Sequence, residues 1–147
     1  MSVTKLAPNT VWLGGPGTEI NDLAAGAAIT PGHLLERYVP SGTINRLRVH
    51  STAAGGGPRL VARECAMLNR DVDTAYAAAD LVEAVALDSG GTAWMFIASG
   101  QNIVFGALLE SAGNGTLRVY NAGVVLFSAL ETTGAVTVQT RIRVEAV

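Results

Sequence analysis

Apolar and polar residues alternate at the C-terminal end of the chain. The even positions from 136 to 144 carry Val, Val, Thr, Ile and Val, whereas the odd positions from 137 to 145 carry Thr, Gln, Arg, Arg and Glu. A period of two residues places alternate side chains on opposite faces of a β-strand. The pattern therefore predicts a half-buried antiparallel strand over residues 136–145.

Shorter alternating runs and turn signals occupy the middle of the chain. Residues 44–49 and 60–65 mostly alternate between apolar and polar side chains, which predicts two further strands. Asn114-Gly115 and Ser89-Gly90-Gly91 predict hairpin turns, because these residues accept positive φ angles. From residue 24 onward, the chain is therefore predicted to consist of strands and tight turns.

The segment from Asp73 to Leu87 fits two kinds of secondary structure. Its alanines favour a helix, but Leu81–Leu87 suits a strand equally well. We expect a short helix or turn over residues 73–79, followed by a strand. The predicted fold class is accordingly mainly β, with at most one short helix.

Two segments of the chain share one residue spacing. Ala24–Glu36 and Ala98–Glu110 both fit the pattern A-x-G-x-x-I-x-x-G-x-L-L-E, and each is followed by a Gly-Thr-aliphatic step, at Gly42 and at Gly115. Each unit predicts a glycine turn, a strand with two leucines and a hairpin. Two related β units predict a small β-barrel or sandwich-like domain. The alternative is chance similarity in a chain rich in alanine, glycine and leucine.

The first 22 residues differ from the rest of the chain. Prolines and glycines interrupt helix and central strand alike, at Pro8, Gly14, Gly15, Pro16 and Gly17. The same segment carries four apolar candidates for contacts with other proteins: Val11, Trp12, Leu13 and Ile20. We interpret residues 1–22 as an extended N-terminal arm that docks on another protein, and residues 23–147 as a single β-rich domain. The alternative is an edge strand that folds back onto the same domain. The arm interpretation implies that a chain without residues 2–22 still folds.

Composition limits the possible partners. The chain has 147 residues and a net charge of −2, with 49% hydrophobic and 15% charged residues and a mean hydropathy of +0.34. This charge gives no electrostatic drive toward nucleic acid or an anionic membrane. The longest apolar stretch, Ala122 to Leu130, is too short to span a bilayer, and the first residues lack a signal peptide's apolar core. We expect a protein made in the cytoplasm, whose excess apolar surface is covered by protein partners.

The candidate chemical groups do not combine into a catalytic site. Asp88-Ser89-Gly90-Gly91 resembles the nucleophile segment of serine proteases, but no aspartate is marked as the partner of His33 or His50. We interpret the segment as a turn and place both histidines at the surface or rim. Cys65, the only cysteine, is interpreted as a buried structural thiol. The sequence therefore predicts no catalytic residue, no cofactor and no metal site, and the chain is expected not to be an enzyme.

Three longer segments carry a family resemblance. An Ala/Gly-rich β chain with Ile29–Glu36 (ITPGHLLE), Tyr76–Val82 (YAAADLV) and Gly106–Leu117 (GALLESAGNGTL) resembles the capsid decoration, or cement, proteins of tailed bacteriophages. The likeness runs from about Ala24 to Leu117. It implies a homotrimer on the outer surface of the expanded head, where it holds neighbouring major capsid protein subunits together against the pressure of the DNA. It also implies an N-terminal capsid contact, and this chain departs from the family in having glycines that interrupt the N-terminal segment.

Two other functions stay open at this point. One is a phage tail or baseplate module, or a carbohydrate-binding β module, although an aromatic content of 5% is low for a sugar site. The other is a small enzyme that uses Ser89 or Cys65 as its nucleophile. The resemblance favours the decoration protein, with the major capsid protein and further copies of the chain as partners and the virion surface as its location.

Overall fold

A computed structural model describes residues 7–42 and 44–147 of the chain. Within these residues the backbone forms thirteen β-strands and one 3₁₀ helix, Ala66–Leu68. The strands are β1 Trp12–Gly14, β2 Gly17–Ile20, β3 Leu34–Tyr38, β4 Arg46–Val49, β5 Leu60–Ala62, β6 Ala84–Leu87, β7 Thr92–Ile97, β8 Asn102–Ile103, β9 Leu108–Ser111, β10 Leu117–Val119, β11 Phe127–Ala129, β12 Gly134–Ala135 and β13 Thr140–Ala146. The prediction of a mainly β fold is confirmed.

Five of these strands close into a barrel. Their order is β7-β10-β9-β11-β13, and β13 returns to pair with β7 along its whole length, from Thr140 opposite Ile97 to Glu145 opposite Thr92. The other edge of β7 is shared, because β10 pairs only with its last residue and β1 pairs with its first two. The barrel interior is filled by fully buried apolar side chains: Met95, Ile97, Leu109, Phe127, Ile142 and Val144.

The remaining long strands form a second sheet in the order β2-β6-β5-β3-β4. Its side chains alternate between two cores, as a period of two residues requires. Leu34, Val61 and Val85 join the barrel core, whereas Leu35 and Leu60 join a second core on the opposite face. The sheet is therefore buried on both faces and is packed against the barrel through a shared core.

The C-terminal strand lies where the alternation predicts it, as β13, although it begins four residues later. Asn114-Gly115 forms the predicted hairpin turn between β9 and β10, which is closed by a hydrogen bond from Ala112 N–H to Thr116 O at 2.9 Å. Ser89–Gly91 is also a turn, but it is not a hairpin. It joins β6 of the sheet to β7 of the barrel, and these two strands are not paired.

The alanine-rich segment before β6 forms turns rather than a helix. Residues 72–73 and 78–79 are turns, and Tyr76 between them makes an isolated bridge to Ile29. The Tyr76 ring is fully buried in the second core, and its hydroxyl donates a hydrogen bond to Arg63 O at 2.6 Å. Burial of this ring fixes the segment where alanine propensity alone would permit a helix.

The two related sequence units adopt related structures in different sheets. In each unit a glycine with positive φ, Gly32 at 100° or Gly106 at 84°, precedes a strand that pairs antiparallel with the next one. The first unit supplies β3 and β4 of the sheet, and the second supplies β9 and β10 of the barrel. The shared residue spacing therefore corresponds to a local turn followed by a hairpin, which occurs once in the second sheet and once in the barrel.

The N-terminal residues do not form a separate arm where the structure describes them. β1 pairs with β7 of the barrel and β2 pairs with β6 of the sheet, so the chain from 12 to 20 takes the folded-back alternative. The physical reason is the Gly14–Gly17 corner, which carries the backbone from one sheet to the other. Gly15 has φ +75°, and a methyl group there would lie 2.6 Å from Gly90 O. Residues 1–6 of the predicted arm lie outside the described residues.

Candidate functional site

The four predicted contact residues are used within the chain. Val11 is fully buried in the barrel core, and its carbonyl accepts a hydrogen bond from Trp94 N–H at 2.8 Å. Trp12 packs against the same core, whereas Ile20 packs against the second core, and Leu13 is half-buried. Val11 therefore has no exposed surface to offer a partner in the folded chain.

A buried carboxylate fixes this N-terminal segment to the sheet. Glu64 accepts hydrogen bonds from the Thr10 hydroxyl at 2.5 Å and from Val11 N–H at 3.0 Å. Beside it, Arg63 forms an ion pair with Glu19 of β2 and places its guanidinium carbon 5.9 Å from the centre of the Trp12 ring. These contacts join β1, β2 and β5, so the segment is held by polar groups as well as by its apolar side chains.

Exposed apolar side chains lie on the turn between β8 and β9 and along the adjoining strands β9 and β10. Val104 and Phe105 lie on that turn and are 61% and 65% exposed. Leu108 begins β9, Val119 ends the neighbouring strand β10, and Tyr120 follows it, where Tyr120 N–H donates to Leu108 O at 2.8 Å. We call these five residues the barrel patch.

The barrel patch lies in a part of the chain without charged residues. Residues 89–109, 119–130 and 132–140 contain no Asp, Glu, Lys or Arg. The backbone of the patch turn is held by hydrogen bonds from Phe105 N–H to the Thr132 hydroxyl at 2.9 Å and from Gly106 N–H to Ala129 O at 2.8 Å. An apolar side chain on a fixed turn suits a protein contact, because little conformational entropy is lost on binding.

A groove with an apolar rim lies beside the 3₁₀ helix. It has a volume of about 360 Å³ and is lined by Cys65, Met67, Leu68 and Leu81, with Arg70, Asp80 and Glu83 among its polar groups. The Cys65 thiol is buried and lies 4.0 Å from the Glu83 carboxylate. The interpretation of Cys65 as a buried thiol is confirmed.

One polar cluster has the composition of a hydrolytic triad. His50 Nδ1 lies 2.7 Å from Ser111 Oγ, and His50 Nε2 lies 3.9 Å from the Glu36 carboxylate. Ser111 is fully buried, and its oxygen also accepts the Gly113 N–H at 3.1 Å, so a substrate carbonyl has no access to it. His50 is itself buried, so its predicted surface position was wrong. The cluster fixes the loop that contains Gly56, whose carbonyl lies 3.4 Å from His50 Nε2.

His33 is half-buried and does not lie in a catalytic arrangement. Its Nδ1 accepts the Thr30 N–H at 3.2 Å, and its ring lies 5.1 Å from the Phe96 ring. Burial, together with the nearby Arg141 guanidinium, lowers the pKa of His33 to about 4. His33 is therefore neutral at pH 7.

Two structural features are absent from the part of the chain that the structure describes. No group of three or more His, Cys, Asp or Glu side chains is placed to hold a metal ion within residues 7–42 and 44–147. Across the same residues, no helix has the length and apolar character that a membrane span requires.

Two comparisons with known proteins give no match. A scan against protein-family models gives no match for this chain, and a search of curated proteins gives none either. The function must therefore be argued from the residues and their geometry.

The sequence interpretation did not single out Phe105. The run of residues 89–109, which contains no charged residue, was the signal that could have located it.

Proposed function

We propose that the chain is a structural protein that decorates the outside of an expanded phage head and binds the major capsid protein through its barrel patch. The observation that carries the proposal is the barrel patch itself, five exposed apolar side chains that lie in runs of the sequence without charged residues. Clusters of exposed apolar side chains favour association, because their burial against a partner releases ordered water. A decoration protein needs such a surface and no chemical step.

Phe105 is the best candidate for the central contact. It is the largest side chain of the patch that is mostly exposed, and its turn is fixed by hydrogen bonds to Thr132 and Ala129. Aromatic side chains at the centre of an interface commonly contribute most of its binding energy. We therefore place the proposed capsid contact on the barrel and not on the N-terminal residues, because Val11 and Trp12 pack against the chain's own core.

The non-enzymatic character of the proposal is supported by where the reactive groups lie. Ser111 is fully buried beside His50, and Cys65 is buried at the base of its groove. Ser89 belongs to the turn that connects sheet and barrel, where Gly91 N–H donates to Asp88 O at 2.9 Å. Neither serine is paired with an accessible base.

Homotrimer formation and the virion location follow from the resemblance to decoration proteins, and they are part of the same proposal.

The proposal is tested by co-sedimentation of the purified protein with expanded, undecorated capsids of the cognate phage. Unexpanded procapsids are the control. Saturable binding to expanded shells alone is the expected result, with three copies bound per local threefold axis. Absence of binding to both kinds of shell would overturn the decoration function and leave a tail or carbohydrate-binding module to be tested.

Replacement of Phe105 tests the assignment of the surface. Phe105→Ser is expected to weaken binding to expanded shells at least about tenfold, which corresponds to roughly 1.4 kcal/mol. Met67→Ser is the matched control, because Met67 is 79% exposed on the groove. Both variants should melt at the temperature of the parent protein. A loss of binding in Met67→Ser but not in Phe105→Ser would keep the function and assign the contact to the groove instead.

A further inference from the structure

One turn of the chain is hydrogen-bonded to both sheets. We call Thr30–His33, which precedes β3, the junction turn. Gly32 N–H donates to Ala62 O of the second sheet at 2.8 Å, and Gly32 O accepts the Phe96 N–H of the barrel at 3.1 Å. Opening of this turn would therefore break contacts of the sheet and of the barrel together.

The His33 side chain closes the junction turn. Its Nδ1 accepts the Thr30 N–H at 3.2 Å, while its own backbone N–H donates to Thr30 O at 3.1 Å. An imidazole nitrogen that accepts a hydrogen bond carries no proton, so the closed turn requires neutral His33 with its hydrogen on Nε2. A proton on Nδ1 removes the acceptor of Thr30 N–H.

A fixed positive charge lies beside His33. The guanidinium carbon of Arg141, on β13, lies 4.4 Å from the centre of the same Phe96 ring that His33 contacts. The guanidinium donates to three groups: Pro31 O at 3.1 Å, Val72 O at 2.5 Å and the Asp73 carboxylate at 2.8 Å. A second positive charge on His33 would be repelled by Arg141, whose position these bonds hold.

The other groups around the turn do not offset this repulsion. Asp73 and Asp71, from the loop that Arg141 binds, are the acidic side chains near the guanidinium. Both are exposed, and the Asp71 carboxylate is already hydrogen-bonded to Thr74 and to Asp73 N–H. β5, β7 and the hairpin turn at residues 113–116 also contact the junction turn, and none of them contains a charged residue.

From this arrangement we propose that the junction turn is an acid-sensitive hinge, at which protonation of His33 opens the connection between sheet and barrel while both cores stay folded. The hinge is independent of the proposed capsid function. Protonation of His33 would open the junction turn locally and would leave the hydrogen bonds inside each sheet in place.

The direction of the pH effect follows from the pKa of His33. Burial, and to a smaller extent the Arg141 charge, lower this pKa to about 4 in the closed turn, whereas an exposed histidine has a pKa of about 6.5. The closed turn is therefore fully stable above pH 6.5, and it is progressively destabilised as the pH falls from 6.5 to about 4. Between pH 7 and pH 5 the opening equilibrium constant is expected to rise about 10- to 20-fold.

Amide hydrogen exchange of the full chain, resolved by NMR, tests the hinge. After correction for the intrinsic pH dependence of exchange, the protection factors of the Thr30 and Phe96 amides should fall about 10- to 20-fold from pH 7 to pH 5. The Leu126 amide, which bonds to Leu109 O inside the barrel, should keep its protection factor. An equal fall at Leu126 would mean global acid unfolding and would overturn the hinge.

His33→Asn is the matched variant, because the asparagine carbonyl can accept the Thr30 N–H and does not titrate. Its Thr30 amide should show the same protection factor at pH 7 and pH 5; a fall equal to that of the parent chain would overturn the role of His33. An NMR titration of the His33 ring in the parent chain gives a second test that needs no variant. A midpoint near 6.5 would overturn the proposal, and one near 4 supports it.

Discussion

A chain that lacks residues 2–22 is expected to lose its cooperative unfolding transition. The deletion removes β1 and β2, exposes the paired edges of β7 and β6, and takes Val11 out of the barrel core. Loss of the Val11 side chain alone costs about 2–3 kcal/mol. It also removes the Thr10 and Val11 hydrogen bonds from the Glu64 carboxylate, which among the described residues keeps only Arg63 at 3.7 Å, at a further cost of about 3–5 kcal/mol. Together these losses are comparable to the whole stability of a small domain, about 5–15 kcal/mol.

Circular dichroism during heating and during urea titration measures this effect. The matched control is a chain that lacks only residues 2–6, because it keeps every contact described above. The control should unfold in one sharp transition, and the longer deletion should show none. A sharp transition in both chains would mean that residues 12–20 add little to the domain, as the arm interpretation of the sequence implied.

The second large effect is expected at Glu110 on β9. Its side chain is fully buried, although it lies on the outer side of the barrel, and it accepts hydrogen bonds from Arg118 Nε and from Gly123 N–H, both at 2.8 Å. Burial by itself would raise the pKa of Glu110. The hydrogen bonds from Gly123, Arg118 and Asn121 outweigh burial and hold the pKa below its ordinary value. The carboxylate is therefore charged, buried and fully paired.

Glu110→Ala is expected to lower the free energy of unfolding by about 3 kcal/mol, because it leaves buried donors without an acceptor. Arg118→Ala should cost less, about 1–2 kcal/mol, since Arg118 is one-third exposed and Glu110 keeps its backbone donors. Urea unfolding at pH 7 measures both values. Equal small losses in the two variants would show that the pair is a surface ion pair in solution. Glu110→Gln keeps the side-chain shape and isolates the contribution of the charge.

The parts of the fold that the sequence predicted are those with local signals. β13 is buried on one face, so its apolar residues recur at every second position, and the Asn114-Gly115 turn needs only its own two residues. β6 is buried on both faces, because Val85 and Leu87 join the barrel core and Ala84 joins the second core. For such strands alternation disappears, which is why the segment before Leu87 fitted a helix as well as a strand.

The errors arose where the partner of a residue lies far along the chain. The glycines and prolines of the first 22 residues suggested an arm, because nothing local shows that Gly14 and Thr92 come together across 78 positions. His50 was placed at the surface because its partner Ser111 is 61 positions away. Exposure of Phe105 depends in the same way on β9 and β10 closing the barrel beneath it, although the charge-free run around it was visible in the sequence.

The sharing of β7 between β1 and β13 has a consequence for the order of events during synthesis. One edge of β7 is completed by residues near the start of the chain and the other by residues up to 146. The barrel therefore cannot close on the ribosome until Ala146 has left the exit tunnel, and β7 waits with an open edge in the meantime. An open strand edge in a chain with so few charges is prone to aggregation. Rapid release after synthesis, or a chaperone that covers β7, would protect the chain during this interval.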